Sequence, residues 1–246
     1  MKKFSKFGGK NAVCKSKFNK FALGALIASS IVSSAVADGL FVGAEAKYNL
    51  KSKFSTSWDV GFARVSVDTD DSPFALGLKV GYDFDFFRVY GAINHNLEAK
   101  DSVVAIGPLA GVSIPEELKW SGNDFVLGAD WTPKFNLAGL DFKAILGAFA
   151  GISKIDVEYY MGDNTGSFSA DYSQNGFIYG AKLGAIYDLE KMGEIEFGLK
   201  FDQAEYSDKD FQLKQCSGGT CILHPTTAKD TKRTNIGVFV GYNYKF

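Results

Sequence analysis

Apolar and polar residues alternate with a period of two in eight segments of the chain, at 40–49, 74–84, 87–97, 124–132, 140–150, 177–187, 194–204 and 234–246. In the last of them every second residue from Ile236 to Phe246 is apolar. This period is that of a β-strand, because successive side chains of a strand point to opposite faces. The pattern therefore predicts an all-β fold whose strands each have one apolar face.

The connections between these segments are alternately long and short. The long ones cover 50–73, 98–123, 161–176 and 205–233. Short turns on one side and long loops on the other are typical of outer-membrane barrels. Strands cross lipid only as a closed barrel, because lipid offers the backbone no hydrogen-bond partners. We therefore predict a closed, antiparallel, eight-stranded transmembrane β-barrel that displays four long extracellular loops.

The segment from Trp58 to Val67 alternates as well, but it belongs to none of the eight segments. It either extends a hairpin above the membrane or forms part of an extra pair of strands. An extra pair would make a barrel of ten strands. We favour the hairpin extension and keep the ten-stranded barrel as the alternative.

The first 37 residues have the pattern of a cleavable secretory signal. Seven lysines precede an apolar run from Phe21 to Val32, and the small residues 35–37 follow as a cleavage site. We expect cleavage between Ala37 and Asp38, which leaves 38–246 as the barrel. The alternative is an N-terminal membrane anchor, but the run is short compared with the roughly 20 apolar residues that a helical span needs.

Removal of this signal leaves an acidic chain. The signal contains seven of the 27 Lys and Arg residues and none of the 28 Asp and Glu residues, so 20 basic residues remain and the net charge is −8. A negative net charge disfavours nucleic acid as a partner.

The polar faces of the predicted strands collect charges of both signs. Such an interior either lines a narrow path for ions and small solutes or fills the barrel with salt bridges. We favour the filled interior, because an eight-stranded barrel is only about wide enough for its own side chains and buried charges must be paired. Asp141, Asp188 and Glu194 are assigned to the same face. The main interior charges are predicted to be Glu45, Lys47, Lys79, Asp83, Arg88, Asp130, Lys143, Lys182, Glu196, Lys200 and Asp202.

Candidate chemistry is sparse outside this interior. Cys216 and Cys221 flank a Gly-Gly turn, which predicts a disulfide at a hairpin tip in an exported protein. The alternative is a metal pair that would recruit His224. His95 has apolar residues two positions away on either side, so no nucleophile shares its face. We therefore expect no enzyme, no cofactor and no metal.

The last strand carries the most specific motif in the chain. It ends on Phe246, with a second aromatic residue at Tyr244 and a glycine at Gly241. This arrangement resembles the closing strand of outer-membrane barrels, the segment that the barrel-assembly machinery reads. Phe239 stands where that pattern prefers a polar residue. Over its whole mature length the chain resembles the opacity, OmpA-barrel and OmpX-like superfamily of small outer-membrane barrels.

The resemblance implies a protein of the Gram-negative outer membrane that contacts lipids, lipopolysaccharide and the barrel-assembly machinery. It also implies surface roles such as adhesion and envelope integrity, with molecules of host or neighbouring cells as partners. We therefore predict a non-enzymatic surface barrel. The alternatives are a narrow pore or carrier for small or hydrophobic solutes, and a lipid-modifying enzyme.

Overall fold

Backbone pairing joins the predicted strands into one antiparallel sheet that closes on itself. The computed structural model describes residues 39–60, 63–71, 73–101, 116–162, 166–189 and 193–246; the predicted signal with its cleavage site at Ala37 and Asp38 lies outside them. Among the described residues, no helix is long and apolar enough to cross a membrane. The strands are β1 (Leu40–Val60), β2 (Ala63–Asp71), β3 (Phe74–Asp83), β4 (Phe87–Asp101), β5 (Glu116–Trp131), β6 (Lys134–Leu137), β7 (Leu140–Gly162), β8 (Gly166–Asp188), β9 (Glu194–Tyr206), β10 (Lys209–Ser217) and β11 (Thr220–Lys245).

Eight of these strands form the ring, in the order β1, β3, β4, β5, β7, β8, β9 and β11. β11 closes the ring by pairing with β1, starting from Lys245 opposite Phe41. The predicted eight-stranded barrel is therefore confirmed. β2 pairs with residues 52–60 of β1, so the segment 58–67 is a hairpin extension of the ring. The ten-stranded alternative is wrong.

The outside of the ring is an apolar belt of limited height. On β8 the outward side chains from Phe177 to Tyr187 are apolar, whereas Asn175 and Ser173 above them are polar. Ten residue steps correspond to about 33 Å along a strand and, at a tilt of about 40°, to about 25 Å along the barrel axis. That height equals the lipid-facing band of membrane barrels. On the eight ring strands the belt ends at Leu50, Phe74, Leu97, Phe125, Ile152, Phe177, Phe201 and Ile236.

The strands continue above the belt, in the regions where the sequence predicted long loops. β7 and β8 have 23 residues each. β2 and β10 pair with the upper parts of β1 and β11. The prediction of four long loops is therefore wrong for most of the described residues in these regions, which lie in strands.

We call the part of the sheet above the belt the extension. Its pattern is the reverse of the pattern in the belt: apolar side chains point inward and polar ones outward. On β7, Ile155 and Val157 are fully buried inside, whereas Lys154 and Glu158 are exposed outside. The outside of the extension faces water rather than lipid. Its strands therefore bury their apolar side chains on the inside of the barrel. Together with three side chains at the upper end of the belt level, Val126, Phe149 and Ile178, they form one cluster, which we call the upper core. Its other members are Phe54, Trp58, Val67, Ala99, Leu118, Trp120, Ile155, Val157, Tyr159, Ala170, Tyr172, Ala204, Tyr206, Leu213 and Ala228.

Short turns join the ring strands at the lower end of the barrel, and one of them is a hairpin. β6 pairs with residues 140–143 of β7, so the chain reverses through Ala138 and Gly139. These two residues have φ angles of 54° and 84°. Both lie in the left-handed region, as the central residues of a two-residue type I′ hairpin turn must. We call residues 134–143 the lower hairpin.

The belt predicts a position-dependent cost for a charge on the outer surface. Leu183→Arg, near the middle of the belt on β8, should destabilise the barrel in phospholipid vesicles by about 2–4 kcal/mol. Asn175→Arg is the control, because Asn175 points outward just above the belt and should cost less than about 1 kcal/mol there. Urea titrations of the two vesicle-inserted variants measure the difference. Equal losses would contradict the placement of the belt.

Candidate functional site: the barrel interior and the extension

Charged side chains fill the interior of the ring at the level of the belt. The eleven main interior charges that the sequence predicted point inward and are largely buried, and so is Glu194, which was assigned to the same face. They are joined by further charged residues in three layers of ion pairs. The arrangement favours the filled interior over an open path, because every layer is closed by contacts between side chains of several strands.

The lower layer ties five strands together. Arg88 Nη1 lies 3.0 Å from Glu194 Oε2. Lys143 Nζ lies 3.1 Å from Asp83 Oδ2 and 3.6 Å from Glu194 Oε1. Lys245 Nζ, from the closing strand, lies 3.2 Å from the same Asp83 oxygen and also pairs with Glu194. These contacts occupy the lower mouth of the barrel.

The middle layer combines two glutamates and two lysines. Lys200 Nζ donates to Glu45 Oε1 at 2.6 Å. Lys79 Nζ lies 3.7 Å from Glu45 Oε2 and is also hydrogen-bonded to Glu196. The four residues come from β1, β3 and β9, which lie on one side of the ring.

Lys182 completes this layer from the opposite side of the ring. Its Nζ lies 2.8 Å from Asp130 Oδ2 and 4.3 Å from the centre of the Tyr90 ring. Gly147 makes room for this pair, since a Cβ there would lie 2.1 Å from Asp130 Oδ1. Phe239 also points inward, with 3 % of its surface exposed, and packs against Ile145 and Ile186. Phe239, the residue that departs from the closing-strand pattern, therefore fills a packing position in the barrel interior.

Arg233 dominates the upper layer. Its Nη2 donates to both carboxylate oxygens of Asp124, at 3.0 and 2.8 Å, and lies 3.8 Å from Asp202 Oδ1. Asp202 also pairs with Lys47. The guanidinium is fully buried and lies 5.7 Å from the centre of the Trp120 ring. Arg233 thus marks the border between the ion pairs below and the upper core above.

Sequence reasoning missed Arg233 and Asp124 as interior charges. Arg233 was the last residue of a region taken as a loop, and Asp124 was the first residue of the predicted strand 124–132, where only Asp130 was assigned to the inward face. The sequence pattern nevertheless indicated the direction of Arg233. It lies two residues before Asn235 on β11 and therefore points to the same, inward side. Asp141 and Asp188, which were assigned to the same face, do not join the buried interior: they lie at the lower rim, where the ring pairing of their strands ends, and are exposed.

An aromatic group occupies the upper core. Trp58 Nε1 donates to the Tyr172 hydroxyl at 3.0 Å. The Trp58 ring lies edge-on to Tyr159 at 4.7 Å, and Tyr172 stacks on Phe211 at 4.4 Å. Burial raises the pKa of Tyr172 to about 12, so its hydroxyl stays neutral at physiological pH. The group closes the interior above the ion pairs with apolar surface.

The remaining candidate residues lie away from the interior. Cys216 and Cys221 form a disulfide at the tip of the β10–β11 hairpin, and His224 Nε2 lies 2.8 Å from Gln215 Oε1. Among the described residues, no group of three or more His, Cys, Asp or Glu side chains is placed to hold a metal ion. His95 points outward near the upper edge of the belt, with Nδ1 2.9 Å from the side-chain oxygen of a neighbouring asparagine on β5.

The three residues of the closing-strand motif occupy distinct positions. Tyr244 and Phe246 point outward at the lower end, with ring centres 5.0 Å apart. Gly241 faces inward, where a Cβ would lie 2.9 Å from Glu196 Cγ. Their role as an assembly signal stays a prediction.

The belt and the interior together decide what kind of barrel this is. A closed ring leaves no backbone edge unpaired, its outer surface is apolar over the thickness of a bilayer, and its inner charges are paired. The fold is that of a small outer-membrane β-barrel. In such barrels the short turns face the periplasm, so the lower end is periplasmic and the extension is extracellular.

No family model matches the chain, and no curated protein matches it either. Among solved structures it is similar to OprG, an outer membrane protein of Pseudomonas aeruginosa, with 16 % identity over 85 % of this chain and 98 % of that one and a TM-score of 0.46. Ail, the attachment invasion locus protein of Yersinia pestis, is 11 % identical over 84 % of this chain and 99 % of that one, with a TM-score of 0.40. The outer membrane protease OmpT of Escherichia coli is 10 % identical over 88 % of this chain and 99 % of that one, with a TM-score of 0.41.

Proposed function

We propose that the protein is a non-enzymatic barrel of the bacterial surface whose extension contacts molecules of host or neighbouring cells. The observation that carries this proposal is the extension itself. β7 continues for ten residues beyond Ile152, which corresponds to about 25 Å above the membrane at a strand tilt of about 40°. A packed core holds the strands of the extension in fixed positions, which favours binding at its outer surface because less conformational entropy is lost.

The filled interior supports the same proposal. The ion-pair layers occupy the barrel within the membrane, and the upper core closes it above them. The belt would contact outer-membrane lipid and lipopolysaccharide, and the closing strand would be recognised by the barrel-assembly machinery. The extension is therefore the part of the molecule that can bind a partner outside the cell.

A shortened barrel tests the proposed function. The ring strands can be rejoined by short Asn-Gly turns above the level of Arg233 and Asp124, which removes most of the extension and leaves the belt and the ion pairs unchanged. Cells that display this variant should adhere to other cells or to host-cell layers no better than cells without the protein. Heat-modifiable gel migration serves as the control for folding. Unchanged adherence of the shortened, folded barrel would contradict the proposal.

A pore or carrier is the alternative function, and the interior weighs against it. Ions crossing the barrel would have to displace paired charges at the lower mouth and then pass the aromatic group around Trp58. We therefore expect that the purified, full-length barrel gives no discrete current steps in planar lipid bilayers. Regular steps from heat-modifiable protein, absent after heat denaturation of the same sample, would favour the pore.

A further inference from the structure

The lower hairpin has one apolar and one polar face. Phe135 lies opposite Phe142, and Leu137 lies opposite Leu140, so these four side chains share the outward face. The rings of Phe135 and Phe142 stack at 5.7 Å. Leu137 is 62 % exposed in the isolated chain. The tip of the hairpin therefore presents apolar surface that no described part of the protein covers.

The inward face of the same hairpin is polar and held by the periplasmic rim. Lys134 Nζ lies 2.8 Å from Asp85 Oδ1 in the neighbouring β3–β4 turn. Asn136 Nδ2 donates to Asp141 Oδ1 at 2.8 Å, and Asn136 Oδ1 accepts from the Gly139 amide at 3.1 Å. Only the Lys134 contact joins the hairpin to the neighbouring turn, whereas the two Asn136 contacts lie within the hairpin. The backbone pairing that continues from β7 keeps Phe135 and Leu137 on the outward face.

The extension shows what the chain does where its outer surface meets water. There the outward side chains are mostly polar, as at Lys154 and Glu158, and most apolar ones turn inward. The exceptions are Tyr160 on β7 and, near the tip of the β10–β11 hairpin, Ile222 and Leu223, which are exposed. The lower hairpin also projects beyond the ring, but its apolar residues stay outward, as in the belt. The phase of the pattern therefore indicates that the outer side of the lower hairpin is not in water.

Two neighbouring features continue this apolar surface. Phe142 contacts Tyr187 of the belt, with ring centres 5.3 Å apart. In the adjacent turn, Phe84 and Phe86 are 44 % and 61 % exposed, and the backbone oxygen of Phe86 accepts a hydrogen bond from Thr132, just before the hairpin. The hairpin is thus the lower end of a continuous apolar surface that begins in the belt.

We propose that the outward face of the lower hairpin lies in the headgroup region of the periplasmic leaflet and binds phospholipid there. Leu137 lies two residues below Phe142 in the pairing, which places it about 5 Å beyond the end of the belt. The headgroup region adds roughly 5–8 Å to each side of the hydrocarbon core, so the whole face fits within it. Continuity with the belt favours lipid over a periplasmic protein as the occupant.

Site-specific fluorescence tests this placement. In the mature chain the two native cysteines are disulfide-bonded, so Leu137→Cys provides a single thiol for an environment-sensitive dye. Asn136→Cys, on the opposite face of the same hairpin, is the matched control. Both variants are folded into phosphatidylcholine vesicles and exposed either to lipids that carry a nitroxide at the headgroup or to iodide on both sides of the membrane.

The dye at position 137 should be quenched several-fold more by the headgroup nitroxide than the dye at position 136, and several-fold less by iodide. Equal and strong iodide quenching at both positions would overturn the proposal. Such a result would leave the face in water in the purified barrel and open to a periplasmic protein. Heat-modifiable migration verifies folding, and Leu140→Cys, on the same face, replaces Leu137→Cys if that variant does not fold.

Discussion

Replacing Arg233 with alanine should lower the free energy of unfolding by about 3–5 kcal/mol, which is the cost of removing one partner from a buried ion pair. Asp124 would keep hydrogen bonds from Asn96 and Ser153 at 2.8 and 2.6 Å, but no cation would remain beside it among the described residues. A buried carboxylate without an opposite charge lowers the stability of the fold, because it has lost its hydration and no ion pair compensates for that loss.

Two further variants test this explanation. Lys232→Ala removes a positive charge from the adjacent residue, which is exposed and 3.7 Å from Glu205, and should cost less than about 1 kcal/mol. In the Arg233→Ala background, Asp124→Asn should restore part of the stability, because the unpaired charge is then gone. Urea titrations in lipid vesicles measure all of these values. Strictly additive losses in the double variant would contradict the pairing.

The ring could be predicted from the sequence because lipid imposes a strict pattern. From Ile236 to Phe246, for example, every outward residue has to be apolar and the inward ones only have to fit. The eight segments, their outward faces and the inward direction of charges such as Glu196 follow from this one constraint. The order of the ring then follows from the short turns and the need for closure.

Apart from the hairpin at 58–67, the extension was missed because the same alternation has the opposite meaning above the belt. Ile155, Val157 and Tyr159 alternate with charged residues as regularly as the belt segments do. Sequence reasoning treated the outward face as apolar throughout, so it ended the strand at residue 150 and did not assign this segment of opposite phase to a strand. A reversal of phase within one continuous alternating segment is the signal that marks where a barrel leaves the membrane.

The partners of the interior charges could not be predicted either. Lys47 and Asp202, or Lys182 and Asp130, are far apart in the sequence and meet only through the register of the closed ring. A shift of one residue between two strands would move each side chain to the opposite face. The sequence therefore predicts that the interior charges are paired but not which residues form each pair.

Trp58→Ala should cost about 3–5 kcal/mol, as truncation of a buried tryptophan does, and the loss should fall mainly on the extension. The substitution leaves a cavity between Tyr159 and Phe211 and removes the hydrogen bond to Tyr172. The ion-paired ring below does not contain Trp58. We therefore expect the extension to open locally while the ring stays folded in the membrane.

Limited proteolysis separates these two effects. Trypsin should cut the Trp58→Ala barrel in the extension, which contains Lys119 and Lys154, much faster than the unchanged protein, while heat-modifiable migration persists. Trp131→Ala is the control, because Trp131 points outward at the lower end of the belt, is 55 % exposed, and leaves no interior cavity. Loss of the heat-modifiable form in step with cleavage would show that extension and ring unfold as one unit. The first outcome also bears on the proposed function. Since the packed core holds the strands of the extension in place, adherence should fall in the Trp58→Ala variant even though the barrel remains inserted.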